Sequence, residues 1–545
     1  MLNRRELITA FLGAQVAQLA GCSRPKLPPR GKLFRTRFGL GHQIRDKRAI
    51  PSATRKEPVG VAIVGGGMAG LSAGWRLKKS GFDDFVILEL EDVAGGTAKS
   101  GSEGSFQFPW GAHYVPAPLP DNHDLIRLFD EIGIVDRILD DGTPVIGEQY
   151  LCREPEERVF YDGCWHEGLY PYEGASERDL QQLKEFQTEI ARWVDARDSQ
   201  GKRMFAVPMA TGSDEEEVRE LDSMSMAQWM DEHGWDSHRL RWLVDYSCRD
   251  DYGLTIDRAS AWAGVFYFAA RVGKGGEASQ DVITWPSGNG MIAKHLSNEV
   301  IPNLRPGVGV VQIKDNDTNN GLDVTAIDAV TGDAVMLQCD HVIFAAPQML
   351  SRYILATDAA AKRDVSPFQY GSWLVANVHL SDRPSESTFP MAWDNVLLDS
   401  KSLGYVTSTH QLGVDHGPTV LTWYYPFADT DPKLTRQKML ALAWEDWADL
   451  VLSDLSIAHP DISDYVEQLD VMCWGHAMVQ ARPGFLFDPR RIAASEPCGA
   501  VHFAGTDLSG IPLFEEAFSH GIRAAEEVMR AQGHRVSPLA QSPRT

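Results

Sequence analysis

The sequence predicts an α/β fold with a second domain, and three observations lead to this class. A strand, a glycine-rich turn and a helix follow one another in "VAIVGGGMAGLSAGWRL", residues 61–77. Residues 177–197 and 225–271 have helical periodicity and are rich in Trp, Met and Leu. The segments "LVANVHL", "VLTWYYPF" and "YVEQLDVMCW" alternate or run apolar, as strands do. The chain of 545 residues is long enough for two or three domains.

The first of these units has the features of a dinucleotide site. Its strand is followed by a G-x-G-x-x-G turn, whose residues are Gly65, Gly67, Met68, Ala69 and Gly70. The first glycine permits the tight turn, the second lets the backbone approach a pyrophosphate, and the third lets the helix pack on the strand. The next strand, "DFVILEL", places Glu89 where a carboxylate accepts both ribose hydroxyls and disfavours NADP. FAD and NAD both remain possible from this unit alone.

Charge and cysteine usage exclude several classes of protein. The net charge of −23 argues against nucleic acid as a partner, because phosphates demand a basic face. An anionic bilayer should not attract the folded body for the same reason. Of the seven cysteines, the six after Cys22 match no zinc or redox motif. Cys152 and Cys164 flank a predicted hairpin around Asp162 and Gly163, where they either form a disulfide or stay as thiols.

Residues 1–22, "MLNRRELITAFLGAQVAQLAGC", have the pattern of an export signal. Arg4 and Arg5 precede an apolar run, residues 7–20, that is too short to span a bilayer of about 30 Å. The paired arginines indicate the twin-arginine route, and the ending Leu-Ala-Gly-Cys resembles a bacterial lipobox. We expect lipid attachment at Cys22 on the periplasmic face or cell envelope, and a flexible tether over residues 23–58. The alternative is an amphipathic helix with a chance cysteine.

Further motifs resemble, in the same order, those of the flavin amine oxidase superfamily, which includes monoamine and polyamine oxidases, amino-acid oxidases and phytoene-type desaturases. They are "DVAGGTAKSG" with Gly96 and Thr97, "FPWGAH" with Gly111, Ala112 and His113, "TWPSGNGMIAKHL", "GVGVVQI" with Val310, "DHVIFAAP", and "VHFAGTDLSGIPLFEEAFSHGIRAAEEVM" with Gly505, Asp507 and Phe514. The resemblance covers roughly residues 59–533.

The resemblance implies that FAD is the cofactor, and it gives several of these residues a role. Residues 108–113 would pass under the ribityl chain, and the backbone of Val310 would contact adenine. Asp507 would hydrogen-bond the ribityl or phosphate end. The helix that begins at Phe514 would aim backbone amides at the pyrimidine edge of the flavin, which becomes negative on reduction.

The resemblance also implies two interleaved domains. A Rossmann-like FAD-binding domain would consist of residues 59–150, 281–350 and 471–535. A substrate domain of mixed sheet and helical cap would consist of residues 151–280 and 351–470. Four tryptophans predicted near the flavin could line an apolar pocket: Trp285, Trp393, Trp423 and Trp474.

The sequence departs from the amine oxidase pattern at the substrate site. Val375 stands where monoamine-type oxidases have a lysine, and Ala477 and Leu513 replace their two caging aromatics. His476 falls at the position of the covalent flavin cysteine, where it is a proton acceptor, a covalent flavin link or a core histidine. The arginines after the ribose acid and the second glycine pair become Glu91 and Thr97, with Lys99 as a partial substitute.

We therefore expect an FAD-dependent oxidoreductase that removes hydride from a C–N or C–C bond of a small or apolar molecule. Desaturase chemistry is the alternative enzyme, and a flavin-free lipid-escort protein on the same fold is the alternative of a different class. Glu89 and the "AGTD" motif favour the flavoenzyme, because a flavin-free scaffold need keep neither. Oxygen, a quinone and a partner protein all remain possible as electron acceptor.

We expect export and anchoring to be separable. Replacing Arg4 and Arg5 by lysine should leave folded, flavin-loaded protein in the cytoplasm, because a receptor reads the twin arginines. Cys22→Ser should abolish only the acyl attachment, whose contribution is about 0.8 kcal/mol per buried CH₂. Cell fractionation with a flavin assay measures both effects. Normal cleavage and continued sedimentation of the Cys22→Ser variant with membranes would contradict the lipoprotein signal.

Overall fold

The computed structural model describes residues 29–46, 49–276, 281–316, 321–385 and 388–537. The predicted export signal, with Arg4, Arg5 and Cys22, lies outside the described residues. No helix in the described part of the chain has the length and hydropathy that crossing a bilayer requires.

Strands and helices are distributed along the whole described chain. The strands are β1 (Leu33–Arg35), β2 (Arg55–Val64), β3 (Phe85–Glu89), β4 (Ser100–Glu103), β5 (Phe106–Pro109), β6 (Tyr114–Pro116), β7 (Val135–Ile138), β8 (Pro144–Ile146), β9 (Glu157–Tyr161), β10 (Cys164–Glu167), β11 (Val282–Thr284), β12 (Leu304–Pro306), β13 (Val308–Asp315), β14 (Leu322–Asp328), β15 (Ala334–Phe344), β16 (Tyr370–Leu380), β17 (Asp394–Leu397), β18 (Tyr405–Thr407), β19 (Thr419–Pro426), β20 (Val466–Val479) and β21 (Val501–Phe503). The α-helices are α1 (Phe38–Arg45), α2 (Met68–Lys79), α3 (His123–Ile132), α4 (Glu177–Asp195), α5 (Glu216–Asp222), α6 (Met226–Glu232), α7 (His238–Tyr252), α8 (Ala261–Ala269), α9 (Gly290–Glu299), α10 (Ser351–Ile354), α11 (Pro432–Ala441), α12 (Trp444–Leu455), α13 (Pro489–Ala493) and α14 (Phe514–Ala531).

The first sheet contains the predicted dinucleotide-binding unit. Among the described residues its strand order is β12-β3-β2-β15-β14-β13, with β21 also paired to β15. The strands β12, β3, β2, β15 and β21 are parallel, whereas β13, β14 and β15 form an antiparallel meander. Side chains alternate along β2, so Val61 and Ile63 share a core with α2 and α14, while Ala62 and Val64 face the opposite core. Both faces of the parallel part are therefore covered, as buried parallel strands require.

Helix α14 packs closely on α2 because the contact is made by small residues. A Cβ at Gly521 would overlap the carbonyl oxygen of Ala69 and crowd the side chain of Ser72. Ala524 and Ala525, one turn later, are fully buried. The prediction of a C-terminal helix with a small-residue face is confirmed.

The second sheet carries the strands predicted for the substrate domain. Within the described residues its order is β1-β20-β16-β19-β18-β17-β9-β10. The three segments predicted as strands correspond to β16, β19 and β20, so these predictions are confirmed. The predicted hairpin is β9–β10, which turns at Asp162 and Gly163, both at positive φ. Cys152 and Cys164 beside it are free thiols.

Two predicted boundaries are wrong. Residues 29–46 do not belong to a flexible tether, because β1 pairs in parallel with β20 and Leu33 contacts the apolar core beneath that strand. The substrate sheet also does not end at residue 470. Strand β20 stays paired with β16 through Trp474 to Val479, so residues 471–479 belong to the second sheet.

We expect Gly521→Ala to lower the free energy of unfolding by about 1–3 kcal/mol, because the added methyl group overpacks the contact between α14 and α2. Gly41→Ala in α1 is the matched control, since a Cβ there would meet no atom within 4 Å. The control should stabilise the protein by up to about 1 kcal/mol through helix propensity. Thermal unfolding of both variants measures the difference. Equal stability of the two variants would contradict the close contact.

Candidate active site

The turn between β2 and α2 presents bare backbone at the start of the helix. Gly65 has a φ of 103°, a conformation that L residues rarely adopt. A Cβ at Gly70 would overlap the carbonyl oxygen of Gly65, so the third glycine is needed for packing. A Cβ at Gly67, in contrast, would approach only the Cα of Gly96, at 4.0 Å. The open space beside Gly67 fits a pyrophosphate that needs close contact with the backbone.

Glu89, the predicted ribose acid, is buried at the end of β3. Its Oε2 accepts a hydrogen bond from the amide of Gly66 at 2.7 Å, and its Oε1 accepts one from the amide of Glu91 at 2.8 Å. Burial raises the pKa of Glu89, and the two amide donors oppose this effect. The carboxylate is thus fixed at the glycine turn, directly before the buried first residues of α2, Met68 and Ala69.

Residues 109–114 run between the two sheets, and each of their carbonyl oxygens accepts a hydrogen bond. From the second sheet, side chains donate to the carbonyls of residues 109, 110 and 111: Asn377 at 3.1 Å, Trp474 at 2.6 Å and Tyr424 at 2.9 Å. From the other side, the donors to the carbonyls of residues 112, 113 and 114 are the Asn289 amide at 3.0 Å, Thr284 Oγ1 at 2.9 Å and Asn289 Nδ2 at 3.0 Å.

The second glycine motif lies against this segment. Gly96 has a φ of 59°, and the carbonyl oxygen of Thr97 accepts a hydrogen bond from the amide of Ala112 at 3.1 Å. A Cβ at Gly111 would overlap that same carbonyl oxygen. Gly67, Gly96 and residues 111–112 therefore follow one another in space, as residues that hold one extended dinucleotide must.

The C-terminal motif continues the same path. Gly505 has a φ of 140°, and the carboxylate of Asp507 accepts hydrogen bonds from the amide of Gln348 at 2.8 Å and the hydroxyl of Tyr370 at 2.5 Å. Burial raises the pKa of Asp507. One of its oxygens is thus engaged within the protein. Val310 in β13 and Phe514 at the start of α14 are both buried.

The positions that depart from the amine oxidase pattern are apolar in the structure. Val375 is buried in β16, opposite Tyr424 and Met472 on the two neighbouring strands. Ala477 lies near the end of β20, and Leu513 is the buried residue before α14. No ammonium group occupies the position of Val375.

His476 lies near the end of β20 and is not a core residue. Its ring is exposed and lies 6.1 Å from the ring of Tyr370. The surrounding protein nevertheless excludes enough water to lower its pKa to about 3, and Arg436 and His42 contribute to this shift. The imidazole is therefore neutral at neutral pH. The interpretation of His476 as a core histidine is wrong.

The four tryptophans predicted near the flavin belong to three different cores. Trp393 and Trp474 share a core with the segment at Trp110, whereas Trp285 is half-buried against the first domain. Trp423 belongs to the opposite core, where its Nε1 donates to Asp454 at 2.7 Å. Successive side chains on a strand alternate between faces, and Tyr424 rather than Trp423 points to the site. The prediction for Trp423 is wrong.

Three carboxyl groups that the sequence analysis did not single out are enclosed beside this site. Glu157 and Asp394 are register partners on the parallel strands β9 and β17, so their side chains share one face of the sheet. Tyr246 donates a hydrogen bond to Asp394 at 2.9 Å. Burial raises the pKa of Asp394 to about 7, and burial together with the charge of Asp394 raises that of Glu157 to about 8. Burial and the charge of Asp251 raise the pKa of Asp250 well above its ordinary value.

Glu157, Asp250 and Asp394, which we name the carboxyl cluster, are connected to the predicted flavin residues by Asp251, Arg271 and Tyr114. Arg271 forms an ion pair with Asp251 at 2.9 Å and lies 3.4 Å from the hydroxyl of Tyr114, in the segment at residues 109–114. The neighbouring His113 packs its ring 4.7 Å from the ring of Tyr424, and burial lowers its pKa to about 4. Tyr246 and Asp250 are four residues apart in α7 and therefore lie on one face of the helix. This spacing is the sequence signal from which these two residues could have been predicted.

A second group of polar side chains does not form a metal site. Glu131, His295 and Glu299 have possible ligand atoms within 4.8 Å of one another. The ammonium of Lys79 already lies 2.9 Å from Glu131 and 2.8 Å from Glu299, and its charge satisfies the two carboxylates. We regard this group as an ion-pair network between α2, α3 and α9.

A glycine-lined path for a dinucleotide, with carboxyl groups of raised pKa beside it, fits an FAD-dependent oxidoreductase. The chain belongs to the family of flavin containing amine oxidoreductases, whose sequence profile matches residues 68–529. This membership and the fit of Gly67, Glu89 and Gly96 to the cofactor set aside the flavin-free escort alternative.

Several solved structures share the fold. Putrescine oxidase bound to putrescine is 18% identical, with a TM-score of 0.61, and the match covers 87% of this chain and 100% of that one. Cyclohexylamine oxidase from Brevibacterium oxydans IH-35A is 16% identical, with a TM-score of 0.60 and the same coverage. A CLA-producing fatty acid isomerase from P. acnes is 16% identical, with a TM-score of 0.59 and coverage of 86% and 98%. These likenesses show the fold alone. Comparison with curated proteins gave no match.

We expect Glu89→Ala to weaken FAD binding by at least about tenfold, because each charge-assisted hydrogen bond to the ribose contributes about 1.5–3 kcal/mol. Cys152→Ser and Cys164→Ser serve as controls, since neither thiol belongs to the glycine-lined path. Flavin released by denaturation and separated by chromatography gives the content of each variant. Equal FAD content in all three would show that Glu89 is not the ribose acid.

Proposed function

We propose that the protein oxidises an amine that binds as a cation, and that Glu157, Asp250 and Asp394 bind its positive charge. The ammonium group loses a proton to one of these carboxylates, the C–H bond beside the nitrogen then gives up hydride, and the C–N bond becomes the C=N bond of an imine. Bound FAD supplies the hydride acceptor. The observation that carries the proposal is the pairing of Glu157 with Asp394 on neighbouring strands, with Tyr246 bound to Asp394. The raised pKa values of all three carboxyl groups support it.

The charge balance of the cluster favours a cation. Among the described residues around it, Arg271 already forms an ion pair with Asp251. The remaining carboxyl groups keep their protons to a higher pH than usual, because an uncompensated buried carboxylate is costly. An ammonium group would compensate their charge and lower their pKa values, so amine binding should release protons. An anionic substrate would instead meet the like charge of any carboxylate that ionises.

The aromatic residues beside the carboxyl cluster also favour a cationic substrate. The rings of Trp393 and Tyr424 pack against His113, and aromatic faces attract cations. Neutral His113 adds no competing charge. A proton acceptor works best when its pKa lies near the working pH. Glu157 and Asp394 therefore fit this role better than His476, whose pKa of about 3 makes it a weak base.

A C–C bond of an apolar molecule is the second candidate substrate. Val375, Met472 and Leu513 favour it, because they leave part of the wall without the amine oxidase lysine and aromatics. A turnover screen of amines, amino acids and polyenes with an artificial electron acceptor separates the two. Turnover of polyenes without any turnover of amines would overturn the proposal for amines.

We further infer that the enzyme is exported with FAD already bound and is attached to the membrane by a lipid at Cys22. Free FAD is scarce outside the cytoplasm, and the twin-arginine route transports folded proteins. The acidic body, with a net charge of −23, needs such an anchor to stay at an anionic surface.

We expect Asp394→Asn to weaken binding of a trimethylammonium inhibitor at pH 8 by about tenfold, because a neutral amide then replaces a carboxylate that attracts the fixed positive charge. The inhibitor has a fixed charge, so only the protein titrates. In the wild type its affinity should rise between pH 6 and pH 8, because Asp394 and Glu157, with pKa values of about 7 and 8, lose protons over this range. Flavin absorbance changes report binding.

Asp257→Asn is the control, because Asp257 is an exposed carboxylate in the turn between α7 and α8. It should leave inhibitor affinity unchanged, and both variants should retain their flavin. Unchanged affinity in Asp394→Asn, or an affinity that falls with rising pH, would contradict the assignment of the carboxyl cluster as a cation site.

A further inference from the structure

Residues 29–46, which we name the N-terminal strap, connect the second sheet to the ribose end of the FAD site. Strand β1 pairs with β20, and the amide of Lys32 donates to Asp470 at 2.9 Å. The chain then crosses to the first domain. The amide of Arg37 donates to Glu91 at 2.6 Å, and its Nη2 lies 2.6 and 2.7 Å from the two oxygens of Asp92.

These contacts act on the loop that fixes the ribose acid. The amide of Glu91 donates to Glu89, while the side chain of Glu91 accepts from Arg37. Glu89, Glu91 and Asp92 place three carboxyl groups within four residues, and the charge of Glu91 raises the pKa of Glu89. Arg37 brings a cation to this run from outside the glycine motifs. The motif's own arginine is absent, since Glu91 stands in its place.

The strap also covers the strand predicted to contact adenine. The side chain of Leu40 in α1 fills the space where a Cβ at Gly309 would lie, and Leu90 approaches the same point at 3.0 Å. Gly309 immediately precedes Val310. Nη1 of Arg37 is buried without a hydrogen-bond partner, 3.9 Å from the corresponding point at Gly307. A buried donor of this kind is expensive unless a ligand or water satisfies it.

We propose that Arg37 is a positioning residue for the adenosine half of FAD. Its side chain holds the loop that follows Glu89 through Asp92, and its backbone amide binds Glu91. Leu40 of the strap covers this end of the site. No FAD motif contains Arg37, and the inference depends on the cofactor rather than on the substrate proposed above. Failure of the amine proposal would therefore leave it intact.

The test measures FAD release from the holoenzyme on dilution, followed by flavin fluorescence, with ADP as a competitor for the adenosine half. Arg37→Ala should weaken FAD binding by about tenfold and ADP competition by a similar factor, while riboflavin, which lacks the adenosine half, competes as in the wild type. Arg37→Lys should restore part of the affinity, because it keeps the charge but not the paired contacts with Asp92.

Arg45→Ala is the matched control, because Arg45 lies in α1 on the surface and pairs with Asp46. It should leave FAD release unchanged. If Arg37→Ala does not fold, Asp92→Asn provides the second variant, since it weakens the contact that the Arg37 side chain makes with the same loop. Wild-type ADP competition in a folded Arg37→Ala or Asp92→Asn variant would overturn the proposal. An equal loss of ADP and riboflavin binding would also overturn it, because that pattern indicates a general loss of structure.

Discussion

The hydrogen bonding of residues 109–114 is the constraint on which the rest of the structure depends. A backbone segment buried between two sheets cannot leave its carbonyl oxygens unpaired, because each one would cost about 1–3 kcal/mol. The second sheet satisfies three of them with Asn377, Trp474 and Tyr424, and residues 284–289 satisfy the other three. This backbone segment thus holds the two sheets together. Their relative position sets which side chains face the flavin path.

This junction also explains why the enclosed carboxyl groups are tolerated. Asp394 and Glu157 face the site because register pairing of β17 with β9 places them on the face that carries Tyr424 and the segment below it. Their pKa values are higher in the folded state, at about 7 and 8, than in the unfolded state, at about 4. The free energy of unfolding therefore falls as the pH rises from about 4 to about 8, because the unfolded carboxyl groups ionise first. Carboxyl groups that lower the stability of the folded protein in this way are typical of binding and catalytic sites.

Local patterns predicted the parts of the structure that depend on local chemistry. The turn at Gly65, the acid Glu89, the helix at Phe514 and the hairpin at Asp162 each follow from short-range sequence rules. The carboxyl cluster could not be predicted in the same way, because Glu157, Asp250 and Asp394 come from three distant segments that only tertiary pairing brings together. The assignment of Trp423 is wrong because neighbouring residues of a strand face opposite sides of the sheet, and Tyr424, the next residue, is the one that faces the site. The tether prediction failed because pairing of β1 with β20 outweighs a composition typical of linkers.

The N-terminal strap and residues 109–114 both connect the two domains, and both end at the FAD path. Cofactor binding and domain association are therefore linked: a ligand that binds only the assembled state stabilises it by RT ln(1 + [L]/Kd). That contribution disappears when free FAD is scarce, as it would be for the proposed exported enzyme. Retention then depends on slow release rather than on rebinding. A strap that is held by the second sheet and fixes the loop of Glu89 would slow release, because the ribose must separate from Glu89 before FAD leaves.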